Sequence, residues 1–231
     1  MKMNGNTILI TGGATGIGFS MAKYFQARGN TVIICGRRGD RLEQAKAEIS
    51  GLHTIKCDVS DPDDRNLLFE SVSKNFPSMN ILINNAGIQQ DIDLTKVTES
   101  KIFSDEIRIN FEAPVCLSAL FTPLLSGKDN ATIVNVSSGL AFVPQHSVGM
   151  PVYCATKAAL HTFSIVQRKQ LETLGIRVVE LLPPMVESEL NTEGRKKRNM
   201  QKTPYMMSSD DFVRQALEKM EQDTEEIRAE K

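Results

Sequence analysis

Apolar positions along this chain fall in short, nearly unbroken runs separated by longer stretches of helical spacing. Thr7–Thr11, Thr31–Cys35, Asn80–Asn84, Ala131–Val136 and Ile176–Leu182 are rich in Ile, Val, Leu and Thr, and Thr7–Thr11 has the look of a strand covered on both faces; the more polar His53–Cys57 is a further strand. Helices are expected at Phe19–Arg28, at about Asp40–Ile49, and from Pro62 behind a Ser60–Asp61 cap. The region 91–112 is amphipathic; Pro114 is expected to interrupt it, with a helix resuming to about Leu125. A further helix carries Tyr153 and Lys157 to about Leu174, where Gly175 ends it, and a last one runs from the Ser208–Asp211 cap to about Glu221. Glu225–Ala229 can add a short edge strand, although no glycine-rich tail follows it. Regular alternation of strand and helix implies an α/β fold: a doubly wound, mainly parallel sheet of about seven strands, with helices on both faces and right-handed crossovers. No repeat, linker or low-complexity tract divides residues 1–231, so one domain is expected, with a polar, irregular substrate segment at about 187–207.

Composition narrows the class without naming a function. The 231 residues carry a net charge of −1, with 41% hydrophobic and 24% charged positions, ordinary for a globular chain of a size that one core can serve. Such a balance offers no basic field for nucleic acid or an anionic membrane. Cys35, Cys57, Cys116 and Cys154 are scattered, without metal-ligand spacing, and read as reduced thiols. No apolar run is long enough to span a bilayer, and Met1–Asn6 leads straight into a strand, leaving no room for a signal peptide. A cytoplasmic location is expected.

Chemistry enters at the strand ends. The first strand breaks into Gly12-Gly13-Ala14-Thr15-Gly16-Ile17-Gly18 before a helix. Glycines there let the backbone approach a diphosphate, and the helix N-terminus supplies free N–H groups to it. The second strand ends at Gly36-Arg37-Arg38, with no acid from 35 to 38. An acidic residue would suit a ribose 2′-hydroxyl, whereas arginine suits a 2′-phosphate, so NADP(H) is favoured over NAD(H). Asp58 and Val59 end the third strand, where an adenine edge can be met, and the small residues of Asn85-Ala86-Gly87 can lie along a ribose. Tyr153 and Lys157 stand four apart on a helix, hence on one face. An ammonium so placed favours the phenolate, drawing a group of pKa about 10 toward working pH.

With Thr11-Gly-x-x-x-Gly16-Ile-Gly18, Asn84-Asn-Ala-Gly87, Asn110, Ser138 and Tyr153-x-x-x-Lys157 in this order, the chain resembles the short-chain dehydrogenase/reductase family over nearly its whole length. Asn84–Gln89, Ser137–Phe142 and Pro151–Ala159 look closer still to its bacterial DltE-type oxidoreductases. The resemblance implies a Rossmann-type sheet, a nicotinamide cofactor and hydride transfer between an alcohol and a carbonyl. By position it makes Tyr153 the acid/base, Lys157 the holder of the nicotinamide ribose, Ser138 the partner of the reacting oxygen, and Asn110 the organiser of a relay water. Gly12, Gly16, Ile17 and Gly18 would line the diphosphate turn, Arg37 and Arg38 the 2′ position, and Val186 and Ser188 the carboxamide. A homodimer or homotetramer, packed through helices near 100–125 and 153–174, is also implied.

Three features depart from that pattern. Ser138 and Tyr153 are fifteen positions apart, about two more than usual, with the extra residues assigned to Gln145–Gly149. Pro183-Pro184 replaces the usual Pro-Gly, and the C-terminal end is short. Two rival functions stay open: a dinucleotide-binding regulatory or scaffold protein without turnover, and an epimerase or dehydratase on a nucleotide sugar, for which the chain leaves little room. Ser137 reads as structural, His146 as an exposed loop residue, Cys154 as a buried thiol and Arg195–Arg198 as a solvated basic run. Met185, Met200, Met206 and Met207 suit either an apolar pocket or ordinary packing.

Overall fold

The computed structural model describes residues 1–187, 189–190 and 206–229. Seven strands form one sheet: β1 (Thr7–Thr11), β2 (Thr31–Gly36), β3 (His53–Lys56), β4 (Ile81–Asn84), β5 (Thr132–Val136), β6 (Arg177–Leu182) and β7 (Glu226–Arg228). Their order is β3-β2-β1-β4-β5-β6-β7, and every pairing is parallel. The short strand at the C-terminal end therefore does join the sheet, in register from Glu180 against Glu226 to Leu182 against Arg228.

Side-chain alternation distributes the strands between two apolar layers. Ile8, Ile10, Val32, Ile34, Val134, Val179 and Leu181 pack on one face against α1 (Gly16–Gln26), α2 (Gly39–Glu48) and α7 (Ser209–Glu221). Leu9, Ile33, Leu82, Ile133 and Val178 pack on the other against α3 (Pro62–Asn75) and α5 (Ala113–Leu125). Helix α6 (Pro151–Leu171) packs against β6 and against α4 (Ser100–Ile107). Burial on both faces explains why the central strands read as continuous apolar runs, whereas the edge strands β3 and β7 are partly exposed. No helix among the described residues is long and apolar enough to cross a membrane.

One local expectation is met and one changes. The cap of α3 is Asp61, whose side chain accepts from the N–H groups of Asp63 and Asp64, while Ser60 turns back to Asp58. Pro114 does not interrupt its helix. Arg108–Glu112 forms a π-helical turn between α4 and α5, with the Ala113 N–H donating to the Arg108 carbonyl five residues back. Proline has no N–H to return to the carbonyl four residues earlier. The widened turn accommodates that missing donor and continues into α5. Residues 91–99 lie outside any helix, so the amphipathic region supplies a helix only from Ser100.

Candidate active site

The carboxyl ends of β1, β2, β4, β5 and β6 open into a cleft of about 750 Å³. Ligand clefts of doubly wound sheets lie at this end, where the strand order reverses, here between β1 and β4. Gly12, Gly16, Ile17, Arg37, Arg38, Asp58, Val59, Asn85, Ala86, Gly87, Ser138, Tyr153, Lys157 and Val186 line it. Gly18 and Asn110 stand behind the lining. Ser188 falls outside the described residues, as do the basic run Arg195–Arg198 and Met200.

The glycine turn is latched to the end of β4. Thr11 Oγ1 accepts hydrogen bonds from the backbone N–H groups of Asn85 and Ala86, each 3.0 Å long. The Asn85 side-chain amide donates to the carbonyls of Thr11 (2.9 Å) and Gly12 (3.1 Å). Asn85 is thus a brace for the turn as well as part of the cleft wall, a role its motif alone did not disclose. Gly12 has φ +63°, and a Cβ there would stand 2.8 Å from Ala86 Cα, so only glycine fits without strain. Gly18 packs α1 tightly behind that turn, against the Gly12 carbonyl and the Asn85 amide.

At the far end of β2, Arg37 and Arg38 are exposed. The Asp58 carboxylate accepts from both the N–H and the hydroxyl of Ser60. Burial works to raise its pKa, but those two bonds and the charges of Arg37 and Lys101 prevail and hold it below the ordinary value. Arg38 donates to Glu189 Oε2 at 2.8 Å and to Thr15 Oγ1 at 3.2 Å, and Arg41 reaches Glu189 Oε1 at 3.0 Å.

At the other end, Tyr153 and Lys157 lie on α6, both almost completely buried. Lys157 Nζ donates to the Val136 carbonyl at 2.8 Å and stands 5.7 Å from the centre of the Tyr153 ring. Burial depresses the Lys157 ammonium to about 8, against the opposing pull of the Glu106 and Glu180 carboxyls. Ser138 follows β5, and its Oγ accepts from the Leu140 N–H at 3.2 Å. Ser137 also borders the cleft, but its hydroxyl is engaged by Glu180 Oε1 at 2.5 Å, and Glu180 Oε2 meets His161 Nδ1 at 2.8 Å.

Asn110, fully buried in the π-helical turn, clamps the segment beside Gly87 in both directions. Its Oδ1 accepts from the Ile88 N–H and its amide donates to the Ile88 carbonyl, both at 2.8 Å, with a third bond of 3.3 Å to Thr156 Oγ1 on α6. One turn earlier, Glu106 Oε1 accepts from the Gln90 N–H at 3.0 Å, while Oε2 makes no hydrogen bond among the described residues. Burial pushes the Glu106 carboxyl up to about 7, even against the Gln90 bond and the Lys157 charge. The sequence reading missed Glu106. Its position four residues before Asn110 was the available signal, since the two residues hold the same segment from successive turns.

The longer loop before Tyr153 folds into two short 3₁₀ turns, Gly139–Ala141 and Pro144–His146. It is tied to the opposite wall where the Ile92 N–H meets the Gly149 carbonyl at 2.9 Å. His146 is exposed at the cleft mouth, and Leu140, Val143, Met150 and Met185 make that end apolar. Met207 belongs to the core, and Cys154 is a buried thiol whose pKa burial raises.

The cleft suits an extended dinucleotide on two observations. The glycine turn leaves backbone approach open beside a helix N-terminus. A Cβ on Gly87 would stand 3.7 Å from Lys157 Nζ and 3.3 Å from Asn110 Oδ1, filling the space in front of the ammonium.

Comparison with known proteins agrees with this geometry. The family profile described as short chain dehydrogenase matches residues 6–199. A Bacillus subtilis (strain 168) protein described as the uncharacterized oxidoreductase DltE is 48% identical, covering 98% of this chain and 89% of its own length. A serine 3-dehydrogenase of Agrobacterium fabrum is 34% identical, over 79% of this chain and 73% of its own. Among solved structures, a Sphingobium yanoikuyae short-chain dehydrogenase in complex with NADPH superposes with a TM-score of 0.84 at 26% identity, covering 96% and 86% of the two chains. A Brucella melitensis 3-ketoacyl-(acyl-carrier-protein) reductase complexed with NADH gives 0.83 at 27% identity, covering 94% and 90%.

Proposed function

The chain belongs to the short-chain dehydrogenase family and is an oxidoreductase, and on that premise we propose that it interconverts an alcohol and a carbonyl with NADP(H), Tyr153 carrying the proton. One observation supports this reading above the others. Ser138, Tyr153 and Lys157 line the same cleft as the glycine turn, with Asn110 directly behind the segment they face.

Gly12, Gly16 and Ile17 would hold the diphosphate and Arg37 with Arg38 the 2′-phosphate. Asp58 and Val59 would flank adenine, Asn85, Ala86 and Gly87 the ribose, and Val186 with Ser188 the carboxamide. Bound nicotinamide supplies or accepts the hydride. Reduction builds negative charge on the substrate oxygen, which the Ser138 and Tyr153 hydroxyls meet as donors, Tyr153 giving up its proton. In oxidation Tyr153 takes that proton back. Lys157, fixed by the Val136 carbonyl, holds positive charge beside the phenol and favours its deprotonated form. Leu140, Val143, Met150 and Met185 exclude water around the reacting carbon and suit a small or moderately apolar substrate.

The test is NADPH oxidation by purified protein across a carbonyl panel. Nucleotide binding with no oxidation of any carbonyl would overturn the reading in favour of a binding protein. Cofactor choice is tested separately. Replacing both Arg37 and Arg38 with alanine should weaken NADPH binding about tenfold, the loss of charge-assisted contacts to phosphate, while NADH binding holds. Equal titrated affinities for the two dinucleotides in the unaltered protein would refute the NADP preference. Exposed Ile107 on α4 and Ile165 and Val166 on α6 support a homo-oligomer; a single-chain mass by light scattering would contradict it.

A further inference from the structure

Glu189 follows β6, yet its carboxylate lies across the cleft on two arginines at the N-terminal end of α2. One oxygen meets Arg38 Nη1 at 2.8 Å and the other Arg41 Nη2 at 3.0 Å, so a single carboxylate spans two guanidinium groups. Arg38 is held at the same time by Thr15 Oγ1, the N-cap of α1. Thr15, Arg38 and Glu189 all line the cleft. Two positive groups at the start of α2, Arg38 and Arg41, thus already face a negative group of the chain itself.

We infer that Glu189 is a specificity-determining residue that competes with the dinucleotide 2′-phosphate for Arg38 and Arg41. The inference rests on the assignment of this corner to the 2′ position. A phosphate and a carboxylate want the same planar N–H fork, and two anions brought onto one fork repel each other. A phosphorylated dinucleotide must displace Glu189 or share its partners, whereas NADH asks for neither. Glu189 therefore lowers NADPH affinity selectively and narrows the preference that the arginines create. It also couples occupancy of the 2′ corner to the segment after β6, whose Val186 lies on the cleft wall. Arg41, not singled out from the sequence, becomes part of the same anion site.

The groups are between 39% and 50% exposed, where ion pairs are screened and weak, so the effect is moderate. Titration calorimetry with NADPH, NADH, 2′,5′-ADP and 5′-AMP, on the unaltered protein and on Glu189→Gln, tests it without reference to turnover. Glu189→Gln should tighten NADPH and 2′,5′-ADP by about three- to tenfold, two weak pairs being removed, and leave NADH and 5′-AMP within about twofold. Unchanged 2′,5′-ADP affinity would overturn the proposal. Weaker binding would also overturn it, because the carboxylate would then be orienting the guanidinium groups. Equal tightening of all four ligands would replace competition with simple obstruction of the cleft. Failure of the cofactor reading itself appears elsewhere, as equal NADPH and NADH affinities before any substitution.

Discussion

Tyr153→Phe should lower turnover by on the order of 10² to 10⁴, the usual worth of a positioned acid/base, while the dissociation constant for NADPH changes little. The substitution removes one oxygen and keeps the ring, and the ring supplies most of what α6 buries at that point. Lys157 keeps its bond to the Val136 carbonyl, and the turn at Gly12 keeps its latch to Asn85 and Ala86, since neither arrangement uses the phenol oxygen. The cofactor wall therefore survives and the proton donor does not. Paired measurements of nucleotide binding and carbonyl-dependent NADPH oxidation separate the two effects. Full activity in the phenylalanine variant would remove Tyr153 from the chemistry altogether. Parallel loss of binding and turnover would make it a structural residue.

Glu106→Gln should leave stability near pH 5 unchanged and raise it at pH 8. The Glu106 carboxyl is completely buried, and burial raises its pKa from 4.5 to about 7 in the folded chain. Between those values the folded state binds more protons than the unfolded state, so stability falls as pH rises. The contribution is fully present below about pH 4.5 and is lost as pH passes about 7. A shift of that size corresponds to at most about 3 kcal/mol. Glutamine resembles the protonated acid and cannot ionise, so the variant lacks this falling limb. Lys157 acts with the opposite sign: its depressed pKa lets stability recover only between about 8 and 10.5, above the window of the test. Urea denaturation at pH 5 and pH 8 should show the two midpoints diverging by about 1 M at the higher pH. Parallel pH dependence in the two proteins would mean that Glu106 ionises freely.

The two experiments probe different kinds of information. Tyr153 was legible as a candidate because its spacing from Lys157 puts a phenol and an ammonium on one helical face, and that spacing is written along the chain. Glu106 was not legible as a titrating group, because its pKa depends on how completely α4, α6 and the segment at Gln90 exclude water around it. Local spacing also misled at Pro114, where proline in an amphipathic stretch reads as a break. The chain answers instead with a π-helical turn, which places Asn110 against Ile88.

The succession of strands and helices, the glycine turn, and the candidacy of Ser138, Tyr153, Lys157 and the arginines at the end of β2 could be read from the sequence alone. Each depends on short-range periodicity, or on a residue type whose chemistry needs no distant partner to be recognised. Tertiary structure alone decided that Asn85 braces the turn at Thr11, that Glu106 lies buried behind Lys157, and that Glu189 reaches Arg38 from 151 residues away. These arrangements join segments far apart along the chain, and the energies that matter in them, desolvation and charge pairing, arise only after folding has set the distances.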